Sequence, residues 1–155
     1  MADGIIYPDF NEDKHCIKEE ESPDSFDKLY VGCDYGITNP HVYLLCGIKT
    51  INNKPHAYIL KEYYNKGNDD KTKVKTDNLF VDDYKKFIAG YDVKRLIIDP
   101  SATSLINLMK QSGVNIREAK NDVIPGINNI GTWLKEERIH IVKDKCPNLI
   151  KEFAS

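Results

Sequence analysis

The sequence predicts one α/β domain in which helices flank a mixed central sheet, and three observations support this prediction. Three β-rich apolar runs follow one another closely between Lys28 and Tyr64. From Thr76 onward, apolar residues recur at helical spacing and then alternate with short β-rich runs. The resulting order, β-β-β-α-β-α-β-α, is typical of a sheet that begins as a meander and continues through helical crossovers.

The first three strands form the meander. The first covers about Lys28 to Tyr35, "KLYVGCDY", and its apolar character is typical of a buried strand. The run "HVYLLCGIK" begins at His41 after a short turn, so we expect an antiparallel hairpin. A second turn, "NNKP", leads to the third strand, "HAYILKEYY", and the polar loop "NKGNDDKTKVK" follows it.

The first predicted helix has Thr76 as its N-cap and ends at Gly90. Its apolar face consists of Leu79, Phe80, Tyr84, Phe87 and Ile88. The fourth strand, "VKRLIID", ends on Asp99 and precedes a helix containing "LINLM", which Gly113 stops.

The rest of the chain continues the alternation. "VNIREA" is the fifth strand, and Asp122 is the expected N-cap of the next helix. That helix has an apolar face formed by Val123, Ile127, Ile130 and Leu134. "RIHIV" is a short strand, and Pro147 begins a final helix, "PNLIKEFAS".

This order is the layout of a ribonuclease H-like core. In such a core the first and fourth strands are parallel neighbours at the centre of a mixed sheet, and crossover connections favour that arrangement. We therefore expect a five- or six-stranded sheet with the ends of these two strands at one edge.

The first 27 residues differ in composition from the rest. We expect residues 1–27 to be an N-terminal arm or interdomain linker, and residues 28–155 to be a ribonuclease H-like domain, truncated at its C-terminus. The apolar residues of "GIIYPDF" and the following Phe10 should pack on the domain or on a neighbour. Residues 11–27, which include the acidic run Glu19 to Glu21, should be solvated and loosely packed.

The composition is that of an ordinary soluble chain. Its 155 residues suit one domain, and 30% of them are charged. The formal net charge of −2 gives no bulk attraction to nucleic acid, so contact with DNA must depend on a local basic patch or on metal ions. No apolar run approaches the roughly 18 residues of a membrane helix. The four cysteines form no CxxC pair, which argues against a zinc site or a disulfide framework.

Two aspartates are the main candidates for a site. Asp34 ends the first strand and Asp99 ends the fourth, so parallel pairing places both carboxylates at one sheet edge. Two such carboxylates repel each other unless they share a proton or a cation, and their oxygens suit Mg²⁺ or Mn²⁺. Two ions there would support phosphodiester cleavage, with Gly36 admitting the substrate backbone. The alternative for Asp34 is an ordinary turn aspartate.

Further candidates are less specific. Glu62, on the third strand, is a third possible metal ligand or a surface glutamate at a strand end. Lys71, Lys73 and Lys75 could contact a DNA backbone without sequence preference, although such a charged loop is usually only solvated. His41 and His140 are interpreted as structural.

An ordered set of segments resembles one known family. "GIIYPDFNEDKH", "YVGCDYGITNPHVYLLCGI", "YILKEYY", "LIIDPSATSLINLM" and "AKNDVIPGINNIGTWLKEERIHI" resemble the C-terminal nuclease domain of tailed-phage terminase large subunits. The resemblance implies a metal-dependent endonuclease that cuts concatemeric viral double-stranded DNA during packaging. By resemblance, Asp34 matches the first metal-binding aspartate and Asp99 the second.

The resemblance also implies cofactors, partners and a location. These are Mg²⁺ or Mn²⁺ in a two-metal site, DNA, an ATPase motor domain, the terminase small subunit and the portal, in the cytoplasm of a bacterial host cell. Two departures matter: the chain has no GxxxxGK[ST] loop for the motor, and it ends at Ser155, before the family's last acidic cluster. We therefore expect the nuclease half alone, with one corner of the metal site missing and reduced activity.

Three alternatives remain open. A non-catalytic DNA- or protein-binding module that retains the fold would also lack the missing carboxylates. "DYGITN" also resembles the phosphate-binding turn of actin-like and sugar-kinase ATPases, but the chain has no Gly-Gly pair for a second phosphate loop. A transposase or a junction-resolving nuclease is compatible with the fold, although "DPSA" and "NDVIPGI" favour the terminase resemblance.

Overall fold

The computed structural model describes residues 7–119 and 123–155. The predicted N-cap Asp122 and the apolar pair Ile5 and Ile6 lie outside the described residues.

The core of the fold is a seven-stranded sheet. Its strands are β1 (Cys16–Ile17), β2 (Lys28–Asp34), β3 (His41–Ile51), β4 (Lys54–Asn65), β5 (Arg95–Ile98), β6 (Ile116–Glu118) and β7 (Ile139–Val142). They are arranged in the order β1-β7-β4-β3-β2-β5-β6. The pairs β2–β5, β5–β6, β4–β7 and β1–β7 are parallel. Only Asn52 and Asn53, both with positive φ, connect β3 to β4, and a two-residue connection requires antiparallel strands.

This topology confirms the predicted ribonuclease H-like fold. The first and fourth predicted strands, β2 and β5, are parallel neighbours as expected. The expectation of five or six strands is wrong, because the short strand β1 adds a seventh at one edge. Two residues give no periodic pattern, so β1 is not recognisable in the sequence.

Helices follow the predicted order. They are α1 (Glu12–His15), α2 (Asp77–Phe87), α3 (Thr103–Gln111), α4 (Val123–Lys135) and α5 (Pro147–Ala154). The Thr76 side chain accepts a hydrogen bond from the N–H of Leu79 at 3.4 Å, which confirms the predicted N-cap of α2. Gly90 and Gly113, the predicted stops, have φ values of 86° and 83°, a conformation that favours glycine. In the part of the chain that the structure describes, none of the helices has the length and apolar character needed to cross a membrane.

The chain divides into two compact units. One contains residues 28–45 and 63–119, that is, β2, the start of β3, and β5, β6, α2 and α3. Its core is strongly aromatic: Tyr43, Phe80 and Tyr84 are buried, and the Tyr43 hydroxyl donates to the Phe80 carbonyl oxygen at 2.9 Å. The rings of Tyr43 and Tyr84 meet edge to face at 5.3 Å.

The other unit contains residues 7–27, 46–62 and 123–155. Its core consists of Leu134, Ile139, Ile141, Cys146 and Ile150. Tyr7 and Phe10 pack against this core, as expected, and their rings lie 5.2 and 5.3 Å from that of Phe153.

The expectation that residues 11–27 are solvated is wrong for Glu12–Ile17. His15 is fully buried, its Nε2 lies 2.7 Å from the Leu134 carbonyl oxygen, and its Nδ1 accepts from the Asn11 N–H at 2.9 Å. The following strand, β1, pairs with β7. Glu19–Glu21 form an exposed 3₁₀ turn. A separate role for residues 1–27 as an arm or linker stays a prediction.

Candidate active site

Asp34 and Asp99 lie next to each other at the ends of two central strands. The register of β2 and β5 pairs Cys33 with Ile98, and the two aspartates are the next residues along each strand. Because the strands are parallel, both carboxylates lie at the carboxyl edge of the sheet, where ligand sites of open α/β sheets gather. The structure therefore brings together the two residues that the sequence predicted to meet.

The two carboxylates repel each other. Burial, and after it the negative charge of Asp99, raises the pKa of the Asp34 carboxyl above its usual range. Asp34 is exposed as a residue while its carboxylate is partly surrounded by protein, and Asp99 is half-buried. A cation between them would relieve both the repulsion and the lost hydration.

Backbone hydrogen bonds fix the turn that carries Asp99. The N–H of Ser101 donates to Asp99 Oδ1 at 2.8 Å, and the N–H of Ala102 donates to the Asp99 carbonyl oxygen at 3.1 Å. Helix α3 begins at the next residue, Thr103. The short turn therefore joins the aspartate directly to a packed helix.

His41 stabilises the turn that follows Asp34. Its ring is fully buried and stacks on Phe80 at 3.8 Å between centroids. Its Nδ1 accepts from the Gly36 N–H at 3.2 Å, and its Nε2 lies 3.9 Å from Cys33 Sγ. Burial lowers the pKa of His41 to about 4, so the imidazole is neutral at pH 7. These contacts support the interpretation of His41 as structural.

Gly36 is required by the turn itself. A Cβ atom at this position would collide with the carbonyl oxygens of Asn39 and Pro40. The sequence-based idea that Gly36 admits the substrate backbone is therefore not needed to explain the glycine.

Asp77 is a residue near the site that sequence reasoning missed. The Tyr35 hydroxyl donates to Asp77 Oδ1 at 2.8 Å, and the Ser104 hydroxyl donates to Asp77 Oδ2 at 2.6 Å. In the sequence, Asp77 is only an acidic residue in the first turn of a helix, which the helix dipole favours anyway. No signal in the sequence indicates its partners.

Glu62 belongs to the other unit, where it holds the start of α5. Its Oε2 accepts from the backbone N–H and the side-chain Nδ2 of Asn148, at 3.2 and 2.7 Å. Its Oε1 accepts from the N–H of Leu149 at 3.0 Å. The carboxylate thus occupies the N-terminus of a helix that has no side-chain cap of its own, a favourable place for negative charge. A role for Glu62 as a metal ligand stays a prediction.

The three candidate lysines differ in their surroundings. Lys75 Nζ lies 2.6 Å from Asp83 Oδ2 and 5.9 Å from the centre of the Tyr63 ring. Lys73 Nζ lies 4.0 Å from Asp70 in an exposed pair, which constrains it little. Lys71 begins the 3₁₀ turn Lys71–Lys73. Of the two lysines with described side chains, Lys73 is the more available for a phosphate.

An open cleft lies beside the loop that follows Asp34. It has a volume of about 620 Å³ and is lined by Thr38, Pro40, Tyr64, Lys66, Gly67, Asn68 and Asp69. The cleft combines a cation, an aromatic face and amide groups, which sequence reasoning did not place together.

The donor chemistry of the aspartate pair fits a hard cation. Carboxylate oxygens are the ligands that Mg²⁺ and Mn²⁺ prefer, and both side chains stand at rigid strand ends. Within residues 7–119 and 123–155, no group of three or more His, Cys, Asp or Glu side chains is placed to hold a metal. The pair by itself is a two-carboxylate site.

Solved structures similar to this chain are phage terminases. The large terminase from a thermophilic bacteriophage is 37% identical, with a TM-score of 0.85, over 97% of this chain. The P22 large terminase nuclease domain is 14% identical over 97% of the chain and 77% of that domain, with a TM-score of 0.74. The large terminase nuclease from another thermophilic phage, G20c, solved with bound magnesium, is 13% identical over 91% of this chain and 75% of its own, with a TM-score of 0.65.

This chain spans 37% of the length of the first of these large terminases. No family model and no curated protein matches the sequence. The resemblance predicted from the sequence is confirmed by the solved structures, and the two nuclease domains share the ribonuclease H-like fold of this chain.

Proposed function

We propose that this chain, which has the fold of phage large terminase nuclease domains, is the metal-dependent endonuclease domain of such a terminase and cuts concatemeric viral double-stranded DNA. The observation that carries the proposal is the juxtaposition of Asp34 and Asp99 at the ends of the parallel strands β2 and β5. Their mutual repulsion, evident in the raised pKa of Asp34, is what a divalent cation would remove.

In the proposed mechanism Asp34 and Asp99 hold the cation and present it at the edge of the sheet. When bound, Mg²⁺ or Mn²⁺ polarises the phosphodiester and acidifies a water molecule. The hydrogen bonds of Ser101 to Asp99, and of Gly36 to His41, keep both strand ends in place before substrate arrives. Asp34 is exposed, so a DNA backbone can approach it from solvent.

Two carboxylates suffice for one hard ion whose remaining positions are filled by water. A second ion needs more anionic ligands, and Glu62 remains the candidate for a third. The proposal also includes Lys71, Lys73 and Lys75 as contacts to DNA, because sequence-independent binding depends on cations near phosphates. The proposed partners are an ATPase motor domain, the terminase small subunit and the portal, in the host cytoplasm.

The test is nicking of supercoiled plasmid in Mn²⁺ by the wild-type chain and by Asp34→Ala, Asp99→Ala and the double variant. Either substitution should abolish cleavage, and the double variant should be no worse, because one carboxylate alone cannot fix the ion. Asp92→Ala is the matched control: this exposed aspartate precedes β5, at the opposite end of the strand from Asp99. Equal nicking by wild type and Asp34→Ala would make Asp34 an ordinary turn residue.

The second candidate function is a catalytically impaired nuclease fold that binds DNA or protein. The finding that favours it is the lack of a three-ligand group among the described side chains. DNA binding by the wild-type chain, without nicking at any Mn²⁺ concentration, would support this second function. The actin-like and sugar-kinase alternative has no support in the matched structures, one of which is a nuclease domain similar over 97% of this chain.

A further inference from the structure

We infer that Asp77 is a positioning residue: its carboxylate clamps together the two segments that follow Asp34 and Asp99 and so sets the geometry of the metal-binding pair. The inference rests on the proposed function, since it concerns the same site. Its basis is a pair of hydrogen bonds that converge on one side chain, from Tyr35 and from Ser104.

The two donors come from the segments that matter most. Tyr35 directly follows Asp34, the last residue of β2. Ser104 lies in the first turn of α3, which the tight Asp99 turn joins to β5. A change in position of either donor is therefore transmitted to its aspartate over a few covalent bonds.

Asp77 itself stands on a well-supported element. Helix α2 is capped by Thr76 and anchored by the buried side chains Phe80, Val81, Tyr84 and Phe87. Asp77 is half-buried, and each of its two oxygens accepts from a different hydroxyl. Hydrogen bonds to an ionised acceptor are the stronger kind, so the clamp resists separation of the two segments.

The third side of the cluster closes it. The Ser104 hydroxyl also interacts with the Tyr35 phenol, and the Tyr35 ring packs edge to face against the buried His41 at 5.6 Å. Burial raises the pKa of Tyr35, so the phenol is protonated at neutral pH and available to donate. Tyr35 is thus held from two sides.

A matched control is available on the same helix. Asp83 also accepts two hydrogen bonds, from the Tyr63 hydroxyl and from Lys75 Nζ, both at 2.6 Å. Its partners come from β4 and the loop before α2, not from the segments that follow Asp34 and Asp99. Asp83→Ala therefore removes a comparable network from α2 without releasing the aspartate pair.

The experiment measures Mn²⁺ binding by electron paramagnetic resonance, and amide hydrogen exchange in the metal-free protein, for the wild type, Asp77→Ala, Asp77→Asn and Asp83→Ala. Asp77→Ala should weaken Mn²⁺ binding about tenfold, at the low end for residues that orient metal ligands, and should speed exchange at Gly36 and Ala102. Asp77→Asn should largely restore both, because its amide can accept from one hydroxyl and donate to the oxygen of the other. Asp83→Ala should lower stability but leave Mn²⁺ affinity and these two amides unchanged.

The outcomes separate this inference from the proposed function. Wild-type Mn²⁺ affinity in Asp77→Ala, or equal weakening in Asp83→Ala, overturns the positioning role while the proposed function stands. If the wild-type chain binds no Mn²⁺, or if Asp34→Ala binds it equally well, the proposed function fails. Amide exchange in the metal-free protein then still decides whether Asp77 clamps the two segments: unchanged exchange in Asp77→Ala refutes the clamp.

Discussion

Acidification should destabilise the protein through His41, because this histidine is buried in its neutral form beside the candidate site. Its Nδ1 must stay unprotonated to accept from the Gly36 N–H, and its ring is enclosed by Phe80, Tyr43 and Tyr35. Protonation would place a charge in this aromatic pocket and break the hydrogen bond to the turn after Asp34. The nearby carboxylates Asp77 and Asp83 offset only part of that cost, since burial remains the largest effect on the pKa of His41.

The sign and the size follow from linkage. The pKa of His41 falls from 6.5 in the unfolded chain to about 4 in the folded protein, so the unfolded state binds the extra proton between these values. The stability is fully present above pH 6.5 and is lost as the pH falls toward 4. At about 1.4 kcal/mol per pH unit, the complete loss is on the order of 3 kcal/mol.

The assay is urea unfolding followed by far-ultraviolet circular dichroism, as a function of pH, for wild type and His41→Asn. The asparagine Oδ1 can replace Nδ1 as acceptor for Gly36, so the turn is kept while the titrating group is removed. Titration of the carboxylates and of His140, whose pKa burial also lowers to about 4, is common to both proteins and cancels in the difference. Wild type should lose about 3 kcal/mol more than the variant over this range. Parallel stability curves for the two proteins would refute the reasoning.

Three further predictions follow from the described contacts. Glu62→Gln should lower the unfolding free energy by about 1–2 kcal/mol in urea, because it replaces a charged double acceptor at the start of α5; a loss of Mn²⁺ affinity at unchanged stability would instead make Glu62 a metal ligand. Lys73→Ala should reduce the salt dependence of DNA binding by about one charge, whereas Lys75→Ala should also cost about 1 kcal/mol of stability through its lost contact with Asp83; identical salt slopes for wild type and both variants would exclude them from the DNA interface. The Cys146 thiol, which is buried and whose pKa burial raises to about 12, should react with a thiol reagent only as fast as the protein opens; rapid labelling under native conditions would contradict its placement.

Much of the fold was predictable from the sequence because local patterns carry it. Apolar periodicity located the helices α2, α3 and α4 and the strands β2 to β5, and a few turn residues located their ends. The Asp34 and Asp99 pair was also predictable, since it requires only that two strand-end residues belong to parallel neighbours, and β-β-β-α-β order favours that pairing. Both inferences use short-range patterns and one general rule of chain connection.

The tertiary structure decided which polar groups meet across long separations in the chain. Tyr35 lies 42 residues from its acceptor Asp77, Glu62 lies 86 residues from Asn148, and His15 lies 119 residues from Leu134. A hydrogen bond depends on distance and angle to within a few tenths of an ångström, which only the packing of whole elements determines. For the same reason β1 was not predicted, because two residues acquire their strand conformation only from β7 beside them. The sequence alone determined that two carboxylates would meet at the edge of a sheet, while the residues that hold them in place became visible only when the elements were packed.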